Sequence, residues 1–134
     1  MKEYVLKRTG DRPLKFNGEL VAEVGGKWHA GVEQNRWHEI RVYMTASGKY
    51  VVEIAYETMW QGEDSCRYAM VCNAVRDVLE EIKLFDPLDR LLGYPPHPTF
   101  TEKQIRLEES LRQRWDVLVG EILSNIPDAA ETVE

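Results

Sequence analysis

Three histidines, His29, His38 and His97, are the chain's only imidazoles, and two of them share a local theme. Trp28 precedes His29 with Glu33 close by, and Trp37 precedes His38 with Glu39 following. A transition-metal centre needs three or four such ligands to converge, so His29, His38 and Glu39 define one chemistry, that of a metal-dependent hydrolase. Placed on the apolar side of a strand opposite Tyr56, His38 is instead expected to be a hydrogen-bonded core residue. His97, among three prolines, is expected at the surface. No metal and no cofactor is assigned.

Other catalytic arrangements find little support. Nucleophilic hydrolases often present serine on a glycine-bounded turn, and no such turn occurs here. Phosphate cradles need a glycine-rich loop opening a helix, but Gly25 and Gly26 lead into Lys27, Trp28 and His29, a turn. Among the carboxylates, Glu53 is expected to pair with Arg41, and Glu57, Glu63 and Asp64 read as solvated surface. Cys66 and Cys72 are six residues apart, about 20 Å in a strand or about 9 Å in a helix, beyond disulfide reach. They read as small buried thiols in a reducing compartment.

The combination best suited to recognition is aromatic. Trp37 and Tyr43, with Arg36 and Arg41 beside them and Trp60 at the end of the same hairpin, are residue types that dominate protein interfaces. The expected function is therefore a non-catalytic interaction or accessory module binding another protein or itself. An alternative is nucleic-acid association, with bases stacking on the same face and Lys7, Arg8, Arg12 and Lys15 forming a basic N-terminal arm. A third use is a second small core beneath residues 27–35. Seventeen Lys and Arg against 23 Asp and Glu leave a net charge of −6, which disfavours non-specific binding to phosphate backbones.

These residues must be positioned by a fold, and the patterning changes halfway along the chain. Apolar residues alternate up to about residue 72 and thereafter recur at three and four, strands first and helices second. The expected class is α+β: a mostly antiparallel sheet of three to five strands in the N-terminal half, with two helices from the C-terminal half packed on one face. A chain of 134 residues can bury one adequate core without staples. Residues 1–127 are expected to form a single domain and 128–134 an acidic, disordered tail. Apolar runs are short, no export signal is evident, and a cytoplasmic location is expected.

The hairpin over residues 36–57 can be registered from its sequence. A three-residue loop, Ala46, Ser47 and Gly48, opposes Met44 to Tyr50, Val42 to Val52, Ile40 to Ile54 and His38 to Tyr56, gathering the apolar side chains on one face. Gly48 then supplies the left-handed residue of a type I turn with a bulge. Upstream, Leu14, Phe16, Leu20, Ala22 and Val24 predict one long strand through Asn17 and Gly18, with 4–6 as a short edge strand and 27–35 as a loop or short strand. Residues 66–72 fit either a strand or the start of a helix; Asn73 as N-cap favours a strand followed by a helix over 74–84. Asp86 and Pro87 begin a short helical turn, and 94–98 is extended. A capping-box spacing at Thr101 and Gln104 opens a long helix to about Asn125, with Leu107, Leu111, Trp115, Leu118 and Ile122 as its buried stripe.

Overall fold

A computed structural model of the protein describes residues 1–25, 36–59, 62, 64–88 and 101–126, with the main chain alone at 101, 103 and 104. Among these residues five strands, β1 (Lys2–Arg8), β2 (Asp11–Gly25), β3 (Arg36–Thr45), β4 (Tyr50–Thr58) and β5 (Cys66–Cys72), precede helices α1 (Val75–Leu84) and α2 (Thr101–Asn125). The strands form one antiparallel sheet in sequence order, curled, with both helices following: an α+β fold.

The β3–β4 register is the one that segregates the apolar side chains, with Met44 opposite Tyr50, Val42 opposite Val52, Ile40 opposite Ile54 and His38 opposite Tyr56. Gly48 closes the turn at φ 86°, its amide donating to the Thr45 carbonyl at 3.0 Å. Residues 66–72 are a strand throughout. The helix after them begins one residue later than expected: its N-cap is Ala74, extended and without a side-chain cap, not Asn73.

The principal core lies between one sheet face and the helices. Ile40, Val42, Val52 and Ile54 meet Val78 and Ile82 of α1 and Trp115, Leu118 and Ile122 of α2. The spacing of the helical residues makes this contact, since positions three and four apart share a face. Leu107 of the expected stripe is only partly buried and packs with Leu88 and Leu111 in a satellite cluster. The Thr101 and Gln104 side chains, the segment 27–35, most of the turn after Pro87, residues 94–98 and the acidic tail lie outside the described residues.

β2 is one 15-residue strand, as its alternation implies, but it does not keep one face. A bulge between Leu20 and Ala22 sets Leu20 opposite Tyr43 and Ala22 opposite Val42. The extra residue, Val21, switches the side on which even positions fall. Ala22 and Val24 therefore join the helix-covered core, whereas Leu14 and Phe16 turn to the other face. The first half of β2 runs past the end of β3 and pairs with β1: Tyr4 faces Phe16, and Leu6 faces Leu14. The resulting hairpin arm turns at Thr9 and Gly10, with Gly10 at φ 76°. Its tip reaches β5, where the Thr9 amide donates to the Arg67 carbonyl at 2.8 Å and the Arg67 amide donates to Thr9 Oγ1 at 2.8 Å.

Candidate functional site

The arm decides what the sheet face opposite the helices presents. Tyr4, Phe16 and Tyr43 form a ring cluster with centroids 4.7 to 5.4 Å apart, tilted, edge-on or stacked. With Leu6, Leu14, Val51 and Ala69 they make a second core inside the curl. Tyr43, expected on an uncovered face, is 4% exposed. The correction has a plain cause: alternating apolar residues on β1 and early β2 need a partner surface, and Tyr43 and Val51 supply it. A second small core was one of the three uses foreseen for this face, but the arm covers it.

Polar groups on the same face are largely spent on one another. Arg41 donates to Glu23 at 2.7 Å and lies 3.5 Å from both Glu39 and Glu53. Glu53, buried, also accepts from the Tyr43 hydroxyl at 3.2 Å. The Tyr43 phenol is held well above the ordinary tyrosine range, first by burial and then by the charge of Glu53. The expected Arg41 and Glu53 pair is thus part of a larger network that organises the interior of the curl.

The remaining expected contact residues divide. Arg36 is buried on the same side of β3 as His38, and its carbonyl accepts from Arg114 of α2 at 3.1 Å. Trp37 is half-buried, and Trp60 lies outside the described residues. In the basic arm, Lys7, Arg12 and Lys15 are exposed. Arg8 instead donates to the Arg12 and Ala69 carbonyls and pairs with Asp11, and Lys15 lies 3.6 Å from Glu3.

His38 is 3% exposed and ringed by Tyr56, Phe85 and Trp115, with centroids 5.1 to 5.9 Å away. Burial pushes its pKa down to about 4, Arg114 adds to the effect, and a hydrogen bond to the Pro87 main chain opposes it. A neutral imidazole surrounded by rings acts as a core residue that ties β3 to the segment after α1. Its partner in the metal scheme, His29, lies outside the described residues, and among the described residues no three potential ligands gather.

What the arm leaves uncovered is the mouth of the curl. There a cleft of about 310 Å³ opens between early β2, the β3–β4 turn and the end of β5. Leu14, Phe16, Val51 and Val71 give it apolar walls, Lys15 and Lys49 stand at its rim, and Thr45 and Ser47 add hydroxyls. Val51 is buried whereas Val71, directly opposite it in the ladder, is 52% exposed. The sequence pointed elsewhere because Val71 is an ordinary strand valine. The signal that could have found this site is the symmetry of Tyr4 with Phe16 and Leu6 with Leu14 about Gly10, which implies a hairpin folding over its own sheet. No helix among the described residues is long and apolar enough to cross a membrane. In comparison with known proteins, no family model, curated protein or solved structure matched this chain significantly.

Proposed function

We propose that the protein is a non-catalytic interaction module, a small cytoplasmic accessory protein that docks another protein at the mouth of its curled sheet. The observation that carries this reading is Val71, half-exposed over a cleft with apolar walls and two lysines at its rim. Such a surface offers apolar burial at the centre and charge at the edge, the general arrangement of a protein contact. Among the described residues, His38 is a buried imidazole held in its neutral form, and Arg41, Glu23 and Glu53 are engaged with one another. Two buried free thiols fit a reducing compartment. Tyr43 and Arg36 are buried, and Trp37, opposite Glu57, lies at the end of β3 away from the cleft, so none of the three belongs to the proposed contact.

Co-purification from the native host, with size measured in solution, tests the reading. The wild type should elute with a stoichiometric partner or as a defined assembly, and Val71→Glu, which places a charge over the cleft, should elute alone. Identical elution of the two as lone monomers contradicts it.

A second reading has one specific observation in its favour: Lys7, Arg12 and Lys15 are exposed on one hairpin arm. It expects salt-dependent retention on single-stranded nucleic acid, and free passage at low salt removes it.

A further inference from the structure

We propose that the partner enters as an added β-strand, pairing main chain to main chain with the free end of β5 at Val71 and seating its apolar side chains in the cleft. This deepens the interaction reading above and rests on it.

The argument starts from hydrogen-bond direction. In an antiparallel ladder a residue turns both its N–H and its C=O to the same neighbour, and successive residues alternate sides. Arg67 bonds outward to Thr9 through both groups, and the Ala69 carbonyl accepts outward from Arg8. Val71, the next residue of the same parity, must also turn its amide and carbonyl outward. No partner among the described residues bonds to them. The arm tip therefore closes β5 at its beginning, and among the described residues nothing closes its end.

Two further features point to an occupant. Exposed strand edges are usually blunted by lysine, proline or a bulge, yet residues 69–72, Ala-Met-Val-Cys, carry none of these and pair with β4 in unbroken register. On a strand laid along this edge, every second side chain falls on the face shared by Val51 and Val71, over the cleft. Lys49 at the rim, beside Lys15 in an exposed and therefore weak pair with Glu3, favours acidic residues beside those apolar positions. The partner segment is thus short, extended, apolar at alternate positions and flanked by carboxylates. Main-chain pairing gives such a complex its affinity and the cleft its selectivity.

The test uses an acetylated peptide of alternating valine and threonine between two glutamates, titrated into the isotope-labelled full chain and followed by amide resonances. Saturable binding is expected, with shifts concentrated at 14–17, 45–49 and 69–72. Methylating alternate peptide nitrogens, so that the bonding edge is lost, should weaken binding at least tenfold, and replacing the glutamates by lysine should weaken it severalfold. Val71→Pro removes the outward amide without taking a bond from the β4 ladder, and it should abolish binding where Val71→Ile preserves it. Should the proline variant fail to fold, the methylated peptide on the wild type carries the test alone. Equal binding of the methylated peptide, full binding by a folded proline variant, or no binding at millimolar peptide each overturns strand addition. A partner that still requires Val71 in co-purification while the two peptides bind alike would leave the interaction reading standing and remove only the added strand.

Discussion

Gly18 lies so close to the main-chain carbonyl of Met44 that a Cβ at position 18 would overlap the oxygen. At this point β2 leaves β3 and becomes part of the arm, with Gly18 paired to Thr45 on one side and Lys2 on the other. The missing side chain permits the approach, and the approach lets the arm fold over Tyr43. Gly18→Ala should therefore destabilise the protein by about 1–3 kcal/mol, the range for forcing an extra carbon into packed structure. Urea unfolding checks this, and a midpoint equal to that of the wild type would mean that the crossing has slack.

His38 makes stability depend on pH. Its imidazole is held down at about 4 in the folded state, against 6.5 for the free side chain. Between those values the unfolded chain binds the extra proton and the folded one does not, so stability is complete above about pH 6.5 and falls as the pH drops towards 4. The full loss is on the order of 3 kcal/mol. Urea midpoints from pH 7.5 down to 5 should decline for the wild type and much less for His38→Gln; parallel slopes would show that another group titrates.

Arg41 and Glu53 should be coupled. Removing Arg41 leaves the buried Glu53 carboxylate with the Tyr43 hydroxyl as its side-chain partner among the described residues, so Arg41→Met is expected to cost about 2 kcal/mol. The double variant with Glu53→Gln should recover part of that loss, because the uncompensated charge is gone. A thermodynamic cycle measures the coupling, and strictly additive losses would argue against it.

The thiols should be silent in the folded protein. Cys66 and Cys72 are each 2% exposed, and Cys72 is pushed up to about 11 by burial first and then by Glu81 and Asp77. A colorimetric thiol reagent at pH 8 should label neither until denaturant is added. Prompt labelling of one equivalent would place a cysteine at the surface.

Much of the fold was legible because it follows from side-chain periodicity. The β3–β4 register, the break at residue 72 and the buried stripe of α2 each satisfy a geometric requirement visible in one segment. The site was less legible because it depends on relations between segments. The bulge at Val21 exchanges the faces of β2 with no change in its alternation, so Leu14 and Phe16 look continuous with Ala22 and Val24 although they lie in different cores. Tyr43 and Trp37 share one side of β3, yet the ring cluster with Tyr4 and Phe16 of the arm buries Tyr43 while Trp37 is half-buried, a difference no alternation within β3 could show. Asn73 was misleading for a smaller reason, since a good capping residue stands one position ahead of a helix that starts without a side-chain cap.

Contact at the mouth of the curl is the claim on which the function rests, and photo-crosslinking in the native host tests it most directly. A benzoylphenylalanine placed at Val71 should yield one dominant adduct of defined mass, while the same group at Glu109, on the exposed side of α2, should yield none. Adducts from Glu109 alone, or equal diffuse labelling from both positions, would contradict the account.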